Sequence, residues 1–405
     1  MKNTFNLSLL PEFYTLLNDE NINDNHNANI LKLNKIACSS NNSLYKVINY
    51  DKQFLDFNLI PSYGLCRSVI INCANQVVGF APPKSISSET FIQKYSQHKT
   101  DNFIVAEEFI EGTMINVFFD PSVGPTGEWE ISTRNTVGAT SSFYKSHNSK
   151  TFRQMFMEAA AENKLDIQTL NNELCYSFVL QHPENRIVVP FSKPQLYLVG
   201  VYKIENNQNN IIVYNYDSSE YKQFFHDLGT SVKFPEIYNF DSYEELVDKY
   251  GSINTSYLIV GVIIHNKLTG ERTKIRNPVY EEVRHLRGNQ PKLLYHYLCL
   301  RKEGKVKAFL NYYPENKKDL SSFRDLVHLF TNTLFTNYIA CYIKKQRPLI
   351  EFSEQYRTHM FNIHKIYINE LKDTQKVVTN NVVQDYVNQL HPSLLMYCLN
   401  YQTKK

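Results

Sequence analysis

Between residues 45 and 280 the chain is built of strand-length apolar runs separated by polar turns. "SVIINC", "MINVFFD", "YSFVLQ", "LYLVGVYKI", "NIIVYNY" and "YLIVGVIIHN" are rich in β-branched and aromatic residues, which suit a pleated, half-buried surface. Within this region "TFRQMFMEAAAENK" and "SSEYKQFFHDLG" repeat apolar residues at helical spacing, the second closed by Gly229, and both predict helices. After Pro278 the helical period takes over, as in Leu320, Phe323, Leu326, Val327, Phe330 and Leu334. Eleven of the thirteen glycines lie before residue 280, in keeping with that change. The first 44 residues predict one short helix around Leu9 to Leu17, then a mobile loop at "NDENINDNHNAN", which lacks the apolar groups to order itself. The pattern therefore predicts an α+β protein in three parts: a helix and loop over 1–44, a strand-dominated domain over 45–280, and an all-α domain over 281–405.

Charge sharpens that division. Residues 281–405 carry 19 Lys+Arg against 11 Asp+Glu, a net +8, whereas residues 1–280 carry 24 against 29, a net −5. The seven cysteines stand singly, with no C-x-x-C pair, which argues against a disulfide framework or a zinc site and for reduced, mostly buried thiols. No apolar run approaches the length of a membrane span, and the start "MKNTFNLSLLPEFYTLLNDE" has no continuous signal-peptide core. A soluble, cytoplasmic protein without a membrane partner is the expectation. No Walker A loop, G-x-S-x-G or H-E-x-x-H string occurs. His182 and His265 have no carboxylate or hydroxyl at a triad-like spacing and read as strand-end histidines.

Four segments in order then carry a resemblance. "YKVINYDKQFLDFNLIPSYGLCRSVIINCANQVVGFAPPKS" presents Arg67 and Lys84, with Ser68 after the Cys-Arg pair. "EEFIEGTMINVFFD" followed by "GEWEISTRNTVGA" presents Glu111, Gly112 and Thr113, then Thr133 and Arg134. "YSFVLQHPENRIVVPF" contains the string Pro183 to Val188, and "LIVGVIIHNKLTGERTKIRNPVY" presents Lys274 and Arg276. Together they resemble the adenylyltransferase domain of phage-type ATP-dependent RNA ligases, of the covalent nucleotidyltransferase superfamily. That resemblance implies the ATP-grasp-like ligase adenylation fold of mainly antiparallel sheets over about 230 residues, with Ser68 replacing the family's usual glycine.

The same alignment exposes what is missing. Ligases of this kind attack the α-phosphate of ATP with a lysine amine, which must be deprotonated to act as a nucleophile. Phe109 stands at that position. The family's two carboxylates, which serve the ribose and a divalent metal, fall on Val179 and Val260, and valine offers no hard oxygen ligand. The resemblance thus implies a degenerate member with no catalytic residue and no metal ligand in place. ATP with magnesium is expected only if activity is retained, with Lys84 as the candidate relocated nucleophile. Arg67, Lys84, Glu111, Gly112, Arg134, Lys274 and Arg276 remain as candidates for holding a nucleotide or phosphate. A plainer reading pairs Arg134 and Arg186 with Glu111 or Glu184.

In the basic helical part, "EEVRHLRG", "LRKEGKVK" and "KKQRP" lie among Tyr295, Tyr297, Tyr312 and Tyr313. Cations attract phosphates and exposed aromatic faces stack on unpaired bases, so RNA is the expected partner, with solvated helix faces or an acidic protein surface as alternatives. Three readings follow: a pseudoenzyme that binds RNA or a nucleotide, an active ligase with a moved nucleophile, and a scaffold subunit for a protein partner.

Overall fold

The computed structural model describes residues 2–18, 25–28, 30–38, 41–96, 103–143, 149–207 and 210–402. The chain divides into two compact units, Met1–Arg284 and His285–Lys405, within a few residues of the change in pattern seen in the sequence.

In chain order the strands of the first unit are β1 (Lys2–Asn6), β2 (Asn25–Ala28), β3 (Leu31–Ala37), β4 (Leu44–Tyr50), β5 (Val69–Ile71), β6 (Val77–Phe80), β7 (Ile104–Glu108) and β8 (Thr113–Asp120). They continue as β9 (Glu128–Ser132), β10 (Leu174–Gln181), β11 (Gln195–Asn207), β12 (Asn210–Tyr216), β13 (Ile237–Tyr238), β14 (Gly261–Asn266) and β15 (Arg272–Arg276). The six apolar runs predicted as strands overlap β5, β8, β10, β11, β12 and β14. They form a six-stranded sheet in the order β1-β12-β11-β10-β8-β9, a five-stranded sheet β2-β3-β4-β5-β6 and a four-stranded sheet β13-β7-β14-β15. The pairing between named strands is antiparallel throughout.

The first 44 residues do not stand apart, which corrects the expected boundary. β1 adds to the edge of the six-stranded sheet with Phe5 opposite Val213, and β3 pairs with β4 with Leu33 opposite Ile48. The reason is the alternation Leu31, Leu33, whose side chains are fully buried. A short helix does form, at Phe13–Asn18. Residues 19–24 and 29 of the predicted loop lie outside the described residues, while Asn25–Ala28 form β2.

The six- and five-stranded sheets share one core containing Phe80, Phe118, Cys175 and Tyr202. On the other face of the six-stranded sheet lies the predicted helix Phe152–Glu162, begun by a capping box in which Thr151 and Gln154 satisfy each other's amides. Its Met155, Phe156 and Ala159 pack on Phe178 and Leu198. The second predicted helix is a 3-10 turn, Ser218–Tyr221, running into Lys222–Asp227. The four-stranded sheet has its own core, where Ala106, Val262 and Ile275 meet Leu246 and Tyr250 of the helix Tyr243–Tyr250.

The second unit is helical as predicted, with its longest helix over Lys317–Tyr338. Leu320, Val327, Phe330 and Leu334 are buried on it, but Leu326 is 44% exposed, because the apolar stripe is narrower than the sequence pattern alone suggests. Two of the tyrosines expected to offer stacking faces, Tyr297 and Tyr313, are buried in this unit's core instead. Among the described residues, no helix is long and apolar enough to cross a membrane.

Candidate phosphate-binding site

β7 ends at Glu108, and the chain then passes through Phe109 and Ile110 to Gly112 before β8 begins. Gly112 has φ +150, a conformation L side chains rarely adopt, and a Cβ there would lie 2.5 Å from the Leu180 carbonyl oxygen and 2.6 Å from Val179 Cγ1. This close approach presses the loop onto β10 at Val179. Gly261 plays the same part after Val260: its φ is +137 and a Cβ would strike the carbonyl oxygen of Ile275 on β15. Phe109 and Val260 line one cavity of about 300 Å³, together with Gln181 and Tyr197. Tyr197 is the strand partner of Val179. Phe109 and Val260 thus share one cavity, and Val179 lies against Gly112 and pairs with Tyr197 of the cavity wall.

β15 sets a row of cations beside them. Residues two apart on a strand share a face, so Arg272, Lys274 and Arg276 point one way while Thr273 and Ile275 point the other. Lys274 Nζ lies 4.4 Å from the centroid of the Phe109 ring and the Arg276 guanidinium 5.7 Å from it. On the opposite flank Tyr50, at the end of β4, carries Arg134 at 5.0 Å and Lys84 at 5.9 Å from its ring centroid. Arg67 stands between the flanks. Burial lowers its pKa first, and the positive charges of Arg134 and Arg276 lower it further. Lys84 is lowered by burial and then by Lys52, Arg134 and Arg67. The largest effect falls on Lys274, held well below the ordinary lysine range by burial and then by Arg272, Arg67, Arg276 and Arg284.

Glu111 does not balance these charges. Its carboxylate is buried, accepts from the amides of Val188 and Val189 at 3.0 Å, and is also bonded to Tyr280. It pins the Pro183–Val188 segment, and Arg186 meanwhile donates its Nε to the Val188 carbonyl at 2.9 Å. Of the two carboxylates in the plainer reading, Glu111 is thus held by backbone amides and Tyr280, and Glu184 meets Lys150 at 2.7 Å. Arg276 pairs with Glu281, which also faces Arg284 at 3.3 Å.

Arg272 escaped the sequence reading, although its i, i+2 relation to Lys274 was the signal. It is buried, donates from Nη2 to the carbonyls of Pro82 at 3.2 Å and Pro83 at 2.5 Å, and has its pKa pushed down to about 10. Tyr50 carried no signal at all. The two histidines gain carboxylate partners from distant segments: His182 meets Glu158 at 3.0 Å, and His265 meets Glu107 at 3.2 Å.

A divalent metal, which the ligase pattern implies, does not fit these side chains. Val179 and Val260 replace its carboxylates, Glu111 is committed to backbone amides, and no group of three or more His, Cys, Asp or Glu among the described residues could hold an ion.

No family model matches the chain. It is 26% identical to an RNA ligase of Rhodothermus phage RM378 over 208 residues, 44% of this chain and 45% of that one, so it matches only about half the length of that relative. It is 23% identical over 342 residues to an immediate-early protein ICP-46 homolog of Invertebrate iridescent virus 6, covering 76% of this chain and 71% of the other. Among solved structures, a mutant of Naegleria gruberi RNA ligase with ATP and Mn matches with a TM-score of 0.36 and 14% identity, over 51% of this chain and 59% of that one. The ordered motif segments lie on adjoining antiparallel strands, and over a little under half of its length the chain is similar in sequence to the phage RNA ligase.

Proposed function

We propose that this protein is a ligase-fold pseudoenzyme that binds RNA or a nucleotide by its phosphates and has lost covalent adenylylation. The observation that carries this reading is the Phe109 ring, standing at the nucleophile's position with Lys274 4.4 Å from its centroid. An aromatic ring can form no phosphoramidate, whereas Arg67, Lys84, Arg134, Lys274 and Arg276 around it can hold phosphate oxygens.

A second reading has one observation in its favour. Lys274 is an amine whose pKa is lowered by burial and by its cationic neighbours, which favours the free amine, and a free amine could attack an α-phosphate and release pyrophosphate. Lys84 shares the tendency to a smaller degree.

The test is incubation of the protein with labelled ATP or GTP and Mg²⁺ or Mn²⁺, followed by denaturing electrophoresis, alongside binding of a labelled single-stranded RNA. The pseudoenzyme binds RNA and retains no label. A retained label that maps to Lys274 or Lys84 decides for the moved nucleophile, and absence of RNA and nucleotide binding at low salt decides for a scaffold. With about five phosphates neutralised, raising salt from about 50 to 200 mM weakens RNA binding on the order of a hundredfold.

A further inference from the structure

We infer that the site takes a linear polyphosphate, as in a nucleoside triphosphate or an RNA 5′-triphosphate end, without a divalent metal. This rests on the phosphate-binding reading above and goes beyond it, because the metal's part passes to side chains.

A triphosphate carries three to four negative charges, and a site built around a metal supplies carboxylates to hold that metal beside the phosphates. Here the arrangement is reversed. The carboxylate positions are apolar, Glu111 is turned to the Val188 and Val189 amides, and the charges left facing one another are positive. Lys274 and Arg276 share the Phe109 face and Arg134 lies over Tyr50, while Arg134 and Arg276 act on Arg67, and Arg67, Arg272, Arg276 and Arg284 act on Lys274. Glu281 is the carboxylate seen to pair with this group, bonding Arg276 and Arg284. The Arg134 Nε is buried without a hydrogen-bond partner. Like charges crowded at partial burial are unfavourable in the free protein, and a multivalent anion relieves them all at once. Planar guanidinium forks also match phosphate oxygens in pairs, which a bound metal does not require.

Binding also moves a proton. The Lys274 pKa is lowered by burial and by Arg272, Arg67 and Arg276, and an anion seated over them raises it again, so binding favours uptake of a proton from solvent.

The experiment is isothermal titration calorimetry of the full chain with inorganic orthophosphate and tripolyphosphate, in EDTA and again in Mg²⁺. Tripolyphosphate binds at least about tenfold more tightly than orthophosphate in EDTA, and Mg²⁺ weakens it by competing for the ligand. At pH 8 the enthalpy varies with the ionisation enthalpy of the buffer, and Lys274→Met removes that variation. Arg67→Met and Lys274→Met each weaken binding about tenfold, while Lys203→Met, at an ion pair with Glu173 elsewhere, leaves it unchanged. ATP and a short RNA bearing a 5′-triphosphate identify the source by which binds tighter, and the same RNA with a 5′-hydroxyl binds more weakly than either. Equal binding of the two RNAs overturns the inference. Binding that appears only with Mg²⁺ or Mn²⁺ also overturns it while leaving the phosphate-binding reading standing, and no binding in either condition removes both.

Discussion

Two clusters of charge lie within a few residues of each other along the four-stranded sheet, and they are built on opposite rules. In the first, Glu107 on β7 bonds Lys267 at 2.5 Å and His265 at 3.2 Å, and Lys267 reaches Asp217 at 3.4 Å. Both signs are present, every member has a partner, and the Asp217 loop of the six-stranded sheet is tied to the smaller sheet. In the second, which begins two residues on at Phe109, five cations share the surroundings of two aromatic rings, and Glu281, beside Arg276, is the carboxylate seen to pair with them. The balanced cluster needs nothing further and serves stability. The unbalanced one is stable only because the surrounding sheets hold it, and its charge is available to a ligand.

The largest expected effect breaks the balanced side. Glu107→Gln leaves Lys267 with Asp217 alone and removes the charge facing His265, costing about 3 kcal/mol and lowering the melting temperature on the order of 10 °C in a thermal scan. Phosphate binding measured below the transition stays unchanged.

The pH dependence of that loss is a sharper test. Burial alone would raise the Glu107 pKa, but His265 and Lys267 more than offset it and hold it below the ordinary carboxylate range. A depressed carboxylate contributes stability in full above its unfolded value, near ~4.3, and loses that contribution as pH falls toward the folded value. The stability gap between wild type and Glu107→Gln is therefore widest at neutral pH and narrows below about pH 4.3 in denaturant titrations.

On the unbalanced side the sign reverses. Lys274→Met removes a partly buried cation from among cations, so it raises stability on the order of 1 kcal/mol at neutral pH while weakening polyphosphate binding. Because the folded-state pKa of Lys274 is depressed, the gain is present below the unfolded lysine value of about 10.4 and disappears above it. A variant that loses both stability and binding would place Lys274 in the structural class with Lys267.

The smallest effect is expected where a ligase would show the greatest. Phe109→Lys restores the amine but neither carboxylate, and autoradiography after incubation with labelled ATP shows no adduct. The combination Phe109→Lys, Val179→Glu and Val260→Glu restores the donor set as well and is the variant in which an adduct would first appear.

The sequence made the anomaly legible because strands and glycines constrain their neighbours locally. Gly112 and Gly261 fix Phe109, Val179 and Val260 through close backbone approach, and strand alternation places Lys274 with Arg276. What stayed hidden depends on distant partners. Glu111 looks like a ligand-facing acid until the Val188 and Val189 amides, 77 and 78 residues away, are seen to hold it. Tyr50 has no motif, and its role arises only because Arg134 and Lys84 arrive from other segments. The first strands were missed for a related reason: Lys2–Asn6 is too short and polar to declare itself, and its pairing with β12 comes from more than 200 residues along the chain.

The central claim is that the ligase fold here holds phosphates without bonding to them covalently. Intact-protein mass spectrometry after incubation with ATP or GTP and Mg²⁺ or Mn²⁺, under conditions where calorimetry shows the nucleotide bound, tests it most directly. The predicted spectrum contains the unmodified chain alone. A species heavier by one nucleoside monophosphate, stable to denaturation and mapping to a lysine, would contradict it.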